Sequence, residues 1–416
     1  MSLPEVRLSS AWSRFLSRVL LPAVLPAVLL AVPMTATARA QSVPPLQAGM
    51  RVTFYSSSAS VRGSTQQAVF KPNCDPSKED CWVDGSGRSI GLQDVPTASG
   101  QGYAQLDVLY LDQQTCVLRI TIYTLDPGSG AVATAASGGT VSTESNCEDY
   151  WFSPARLQQL PTQDTGGFRV LRGPYTIGNF SFDSVSIGSF GGGSASHSSY
   201  DAASGLLIVA STRSQGGAVP TIVGNTVTPG AGNTQLTYTQ WLNSRSLPAS
   251  GLLERLPAHV QGTTRLVYSC VQVTTLPGSG AVQIPCHYEL ALGQRNELWV
   301  RARGTLQVSD GITNIPSVTE SEHVIAASGH GGYLASPTWL ASLQQGGVQL
   351  DSDPVTGVVA FVESVTDDVV VIVERSNAEL KRFAYDRRTG WLRQVSLEQS
   401  SGLAVVSQYY ELTGVQ

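Results

Sequence analysis

Tyr150-Trp151-Phe152-Ser153-Pro154-Ala155-Arg156-Leu157-Gln158-Gln159-Leu160 returns 183 residues later as Tyr333-Leu334-Ala335-Ser336-Pro337-Thr338-Trp339-Leu340-Ala341-Ser342-Leu343. The tyrosine, the Ser-Pro pair and two leucines three apart recur in step. Three more matches keep the same order. Leu111 and Gln113 pair with Leu292 and Gln294 at an offset of 181. Gly166-Gly167-Phe168 and Pro174 pair with Gly346-Gly347-Val348 and Pro354 at 180. Tyr200-Asp201-Ala202-Ala203-Ser204-Gly205 pairs with Tyr385-Asp386-Arg387-Arg388-Thr389-Gly390 at 185. Four collinear matches identify two copies of one domain. The period is far longer than a solenoid repeat, so each copy is expected to bury a core of its own.

Each copy carries one predicted helix, the Ser-Pro segment. Ser153 and Ser336 suit N-cap duty, with Pro154 and Pro337 at the first helical position. Leu157 and Leu160, like Leu340 and Leu343, then share one face. Strand signals fill the rest. Arg51-Val52-Thr53-Phe54 opens the first copy and Arg265-Leu266-Val267-Tyr268 the second. Phe180 to Ile187 mixes apolar and polar residues as a half-buried strand does, and Val369 to Val373 reads as a strand covered on both faces. One turn type recurs at Asp126–Gly130, Asp201–Gly205, Asp353–Gly357 and Asp386–Gly390. In each, Asp accepts backbone N–H groups and Gly takes the left-handed position, which suits antiparallel meanders.

The expected fold is therefore all-β: two tandem copies of a curved antiparallel sheet or partly open β-barrel, each with one short helix as plug or end-cap. In strand count and single helix this layout is similar to lipocalin-like and periplasmic half-barrel proteins, with no motif shared.

Residues 1–40 read as a cleavable signal peptide. Arg7, Arg14 and Arg18 precede an apolar stretch from Val19 to Val32, and Ala38-Arg39-Ala40 offers a cleavage site. That stretch is too short for a membrane span, so an exported, periplasmic or extracellular chain with no span in its mature part is expected. The first β domain is placed at 41–245, with insertions near 56–102 and 211–233, a linker at 246–261, and the second β domain at 262–416. The first insertion follows from spacing: 57 residues separate Phe54 from Leu111, but 24 separate Tyr268 from Leu292.

Without residues 1–40 the chain holds 22 basic and 30 acidic side chains, a net charge near −8, and no basic stripe. Nucleic acid is excluded as a partner on that basis. Six cysteines in an exported chain imply three disulfides, and nearest-neighbour pairing gives Cys74–Cys81, Cys116–Cys147 and Cys270–Cys286.

No catalytic, metal or cofactor site is expected. Cys270, Cys286 and His287 lack zinc spacing, and Asp351 with Asp353 falls short of a calcium loop. Gly188 to Ser194 lacks the ending of a phosphate loop. Ser196, His197 and Asp201 are neighbours only in sequence. His323 and His330 read as exposed, unpaired histidines in a loop. Tyr150, Trp151, Phe152, Tyr333 and Trp339 are the candidate ligand-lining residues, since amphipathic rings suit a cavity mouth, with core packing as their other role. Three functions remain open: a non-catalytic binding protein holding an apolar small molecule or an envelope component, a structural or adhesive surface protein, and a hydrolase with dispersed residues. An enclosed cavity separates the first from the others.

Overall fold

The computed structural model describes residues 45–62, 68–70, 82–84 and 100–416, except 113–114, 127–128, 143–146, 148–149, 166, 178–179, 192–193, 216–220, 224–225, 229–232, 249–252, 277–279, 309–316 and 402–403. All of them belong to one compact unit, Ala40–Gln416. The predicted signal segment and the Cys74–Cys81 pair lie outside the described residues.

Two ten-stranded antiparallel sheets follow one another along the chain, one per copy. From edge to edge the first runs Ala131–Ser142, Cys116–Asp126, Gly100–Leu111, Met50–Arg62, Asn233–Ser246, Leu207–Gln215, Ser194–Asp201, Phe180–Gly191, Phe168–Ile177 and Gln163–Thr165. The second runs Ser317–Ala326, Trp299–Val308, Gly280–Arg295, Arg265–Leu276, Ala404–Val415, Leu392–Ser401, Glu379–Asp386, Val369–Arg375, Val359–Val365 and Gln349–Ser352. In both, the opening strand lies centrally beside the closing one. The chain meanders to one edge, crosses through the Ser-Pro helix to the other edge, and meanders back. Among the described residues no pairing joins the two edges, so neither sheet is a closed barrel.

The copies agree in detail. A β-bulge falls between Thr53 and Phe54 and again between Val267 and Tyr268. A second falls between Ser199 and Tyr200 and again between Ala384 and Tyr385. Such bulges bend a strand and sharpen its twist, which a curled sheet needs. Among the described residues, two hairpins occur only in the first lobe, Ala68–Phe70 with Trp82–Asp84 and Thr221–Val223 with Thr226–Thr228, both inside the expected insertions.

The repeated motifs recur because they touch each other. The Phe152 N–H donates to the Gly205 carbonyl at 3.0 Å and the Leu207 N–H to the Tyr150 carbonyl at 2.9 Å. In the second lobe Ala335 donates to Gly390 at 2.8 Å and Leu392 to Tyr333 at 3.0 Å. Gly205 and Gly390 have φ of +77° and +79°, and a Cβ there would lie 1.9 Å from the Phe152 carbonyl oxygen or 2.1 Å from that of Ala335. Only glycine lets the helix entry dock on the turn. All four Asp–Gly turns form, with a Gly N–H to Asp carbonyl bond of 2.7–2.9 Å in each.

The helices Pro154–Gln159 and Pro337–Ser342 start as read. Ser153 Oγ accepts from the Arg156 N–H at 3.2 Å and Ser336 Oγ from the Trp339 N–H at 3.1 Å. Leu157 and Leu340 are fully buried.

Three details differ from the sequence reading. The second lobe has a further short helix, Ala258–Gly262, whose N-cap Pro257 offers no side-chain bond. It therefore lacks the polar signature that marks the others, although Leu256 and Val260 are buried in the second lobe's core. The matches at offsets 180 and 181 are not structural: with Phe54 level with Tyr268, the register sets Ala104 level with Tyr288, and so Val108 rather than Leu111 with Leu292. Gly167 follows the edge strand Gln163–Thr165 whereas Gly346 and Gly347 precede Gln349–Ser352, and Pro174 lies within a strand while Pro354 lies in a turn. Val369 to Val373 is covered more fully on one face: Val370, Ile372 and Val373 are buried, Val369 and Val371 half-buried.

The lobes are filled differently. In the first, Phe54, Tyr175, Phe182, Tyr200, Leu157 and Trp241 join one large cluster around which strands far apart in the sheet order meet, with a smaller cluster around Val108, Leu118 and Trp151 beside it. In the second, the buried residues fall into two clusters, one around Tyr268, Tyr288 and Ile325 and one around Leu340, Ile372 and Phe383. Cys116–Cys147 and Cys270–Cys286 are disulfides. Among the described residues no helix is long and apolar enough to cross a membrane.

Candidate functional site

The run Ala104-Gln105-Leu106-Asp107-Val108-Leu109 is buried at every position. In a strand, alternate side chains point to opposite faces, so both faces of the first sheet are covered here. Ala104 and Leu106 enter the first lobe's core. Leu109 joins Val117 and Val141 against Trp299 and Ala326 of the second lobe. The outward polar residues Gln105 and Asp107 are covered by the second lobe too.

An ion cluster seals that contact. Arg51 grips Asp107 with two bonds, at 2.5 and 2.8 Å, and reaches Asp351 at 2.8 Å. Arg245 binds both oxygens of Asp351 at 2.9 and 3.0 Å and Asp353 at 3.2 Å. Gln105 donates to Asp353 at 3.0 Å. Burial acts against the Arg51 charge, but Asp107 and Asp351 outweigh it and hold the guanidinium above its usual value. Burial likewise raises the Asp351 carboxyl, and the bonds from Arg245 and charge of Arg51 bring it below its usual value.

Asp351 sits on one edge strand of the second lobe, and Val324 and Ala326, which pack on the first lobe, sit on the other edge. The first lobe's outer face thus spans the side that the second sheet leaves open. Between them lies a cleft of about 240 Å³. Phe383, Val395 and Leu397 of the second lobe give it an apolar wall, and Thr121, Tyr123 and Arg119 of the first lobe face them.

The loop before the second helix closes one flank. Arg119 donates to the His330 carbonyl and to Ser328 Oγ, both at 2.7 Å. Tyr385 Oη accepts from the Gly331 N–H and donates to the Gly332 carbonyl, both at 2.9 Å. His330 Nε2 lies 3.3 Å from Glu374. Burial works to raise the Glu374 carboxyl, yet the His330 hydrogen bond and charge, then Lys381 and Arg51, hold it down to about 2. Deeper in, His323 Nε2 is 2.8 Å from both Tyr288 Oη and Ser321 Oγ, and Tyr333 donates to Tyr288 at 3.0 Å. Burial pushes His323 down to about 4, so it is neutral at pH 7. Gly304 makes room for this cluster, since a Cβ there would lie 2.3 Å from Tyr288 Oη.

Of the five ring residues singled out from sequence, only Tyr333 lines the cleft. Trp339 stacks on His330 at 6.3 Å. Tyr150 packs on Phe54 and Phe152 on Tyr200, each at 5.0 Å, inside the first lobe. Trp151 is buried beside the Cys116–Cys147 disulfide and donates to the Ser204 carbonyl at 2.9 Å. The histidines read as exposed and unpaired are neither. Ser196, His197 and Asp201 make no triad: on an alternating strand Ser196 faces away from the other two, His197 Nε2 meets Ser199 Oγ at 3.0 Å, and Asp201 accepts from the Ser204 N–H. The Asp351 and Asp353 carboxylates are held by arginines. Cys270 and Cys286 are joined to each other, with His287 exposed beside them.

Sequence reasoning missed Arg51, Arg119, Glu374, Phe383, Gln408 and Tyr410, all of which line the cleft. The one local signal was an Arg51 and an Asp107 on strands otherwise rich in core residues.

No protein-family model matches this chain, and no curated protein sequence does. Among solved structures it is similar to a protein of unknown function of the DUF3598 family from Nostoc punctiforme, at 10% identity over 88% of this chain and 96% of that one, with a TM-score of 0.13. A structure of intact Ap-TbpB, with N and C lobes, gives 8% identity over 89% of this chain and 79% of that one, with a TM-score of 0.12.

Proposed function

We propose that this protein is an exported, non-catalytic binding protein that holds a small molecule in the cleft between its two lobes. The observation that carries the reading is the cleft itself. An apolar wall from the inner face of one sheet meets polar groups from the outer face of another, which is the usual composition of a ligand site. Tyr333 is the sequence-predicted ring that serves there. Two disulfides support an oxidising compartment, in keeping with the basic and apolar leader at residues 1–40.

An isothermal titration with 4-ethylphenol tests this. Saturable one-site binding is expected for the native protein, lost in Leu397→Trp, which fills the cleft, with little change in Tm. Binding that survives the filled cleft, or no saturable binding by the native protein, contradicts the proposal.

A further inference from the structure

Each charged side chain of the cleft has a partner, although the His330 ring keeps one buried nitrogen, Nδ1, unbonded. Arg51 is paired with Asp107 and Asp351. Glu374 is paired with His330, and Lys381 with Glu379 at 2.9 Å and Thr134 at 2.6 Å. Arg119 is occupied by a carbonyl and a hydroxyl, and a Cβ on Gly331 would lie 3.5 Å from both its Nη1 and Glu374 Oε1, so that carboxylate lies close by. The lining polar side chains with no hydrogen-bond partner among the described residues are uncharged ones. Gln408 and Tyr410 of the second lobe and Thr121 and Ser137 of the first are of this kind.

Resting on the binding function proposed above, we infer that the ligand is uncharged: a single ring or short chain with an apolar body and hydroxyl or carbonyl groups that meet Gln408 and Tyr410. A charged ligand would lose its hydration and find no free counter-charge, and burying an unpaired ion is far costlier than burying a neutral polar group. A hydrocarbon would leave the Gln408 amide and Tyr410 hydroxyl stripped of water and unbonded. Size follows from volume. Apolar cavities of roughly 150 Å³ hold benzene, and pockets for drug-sized ligands begin near about 300 Å³. At about 240 Å³ the cleft falls between them.

Isothermal titration of the full chain with four probes sharing one body tests the inference: 3-phenylpropanol, 3-phenylpropanoate, 3-phenylpropylamine and propylbenzene. The alcohol is expected to bind about tenfold more tightly than the hydrocarbon. The carboxylate and the ammonium are expected to bind about a hundredfold more weakly than the alcohol. In Gln408→Leu/Tyr410→Phe the alcohol should fall to the level of the hydrocarbon, with Tm and hydrocarbon affinity retained. A carboxylate or ammonium that binds as well as the alcohol overturns the uncharged assignment while leaving the binding cleft in place. An alcohol affinity untouched by the double substitution overturns the assigned contacts. Failure of all four probes overturns the cleft as a ligand site, and this inference with it.

Discussion

The two lobes share a topology, a helix joint and two bulges, yet the first sheet curls around an aromatic-rich core while the second leaves a side open that the first lobe covers. The difference can be read residue by residue. Opposite the bulge, Phe54 faces Trp241 in the first lobe, where Tyr268 faces Leu412 in the second. Trp241 meets Phe180 and Phe182 edge-on at 5.4 and 5.9 Å, and those rings fill the first interior. The second lobe instead groups the phenols Tyr268, Tyr288 and Tyr333, whose rings lie 6.0–6.3 Å apart and whose hydroxyls are hydrogen-bonded, Tyr333 to Tyr288 and Tyr268 to the Leu392 carbonyl. The loop before each helix differs in the same sense. Cys147 staples it in the first lobe, while the corresponding residue, His330, sits in a glycine-rich loop held by Arg119 of the other lobe. The outer face of the first sheet covers the open side of the second, and is covered by it in turn.

That comparison predicts which substitutions are felt most. Asp351→Ala leaves Arg51 and Arg245 without a shared carboxylate in a covered interface. It should cost about 3 kcal/mol in denaturant unfolding, since charged hydrogen bonds are lost while Arg51 keeps Asp107 and Arg245 keeps Asp353, and raise exchange at the Gly329–Gly332 amides. A loss under about 1 kcal/mol would show that the second lobe does not depend on the first.

The helix leucines test the shared half of the comparison. Leu157→Ala and Leu340→Ala should each cost about 2–5 kcal/mol, because each leaves a cavity at a fully buried site. Unequal losses are expected, with Leu340 the smaller, since the lobe that borders the cleft relaxes more readily into the gap. An unchanged Tm for either variant would remove that helix from the core.

Acid should destabilise both lobes. Burial, then the charge of Arg169, lowers His197 to about 4, and burial lowers His323 to about 4. Each stays neutral in the folded chain while the unfolded chain protonates near 6.5. Their contribution is therefore complete above pH 6.5 and is lost as pH falls toward 4, by about 3 kcal/mol for each. Denaturant midpoints across this range check it, and His323→Gln should flatten the curve. Stability that rises on acidification would refute it.

The caps give the smallest effect. Ser153→Ala should cost about 1 kcal/mol. Ser336→Ala should cost more, since Ser336 Oγ also donates to Glu254 at 2.5 Å. Equal losses would mean that this extra bond contributes nothing.

Much of the fold was legible because it rests on local rules. Ser-Pro marks a helix start, Asp-x-x-Ser/Thr-Gly marks a turn, and cysteines near one another in sequence found each other at Cys116–Cys147 and Cys270–Cys286. The joint between Gly205 and Phe152, and between Gly390 and Ala335, explains why those two motifs alone resisted drift between copies. The cleft was not legible, because it is made where two lobes meet. Nothing near Arg51 in sequence points to Asp351, 300 residues away, and Phe383 reads like any core residue until the wall opposite it turns out to be another domain. The aromatic runs beside the helices drew attention by their local density, but Trp151 and Phe152 are dense because they pack.

Diffraction from crystals pressurised with xenon tests the contrast most directly, since xenon enters apolar space and is kept out of close-packed cores. A site beside Phe383, Val395 and Leu397, with none among Phe54, Phe182 and Trp241, is the predicted result. Xenon in the first lobe, or in neither, would contradict the account.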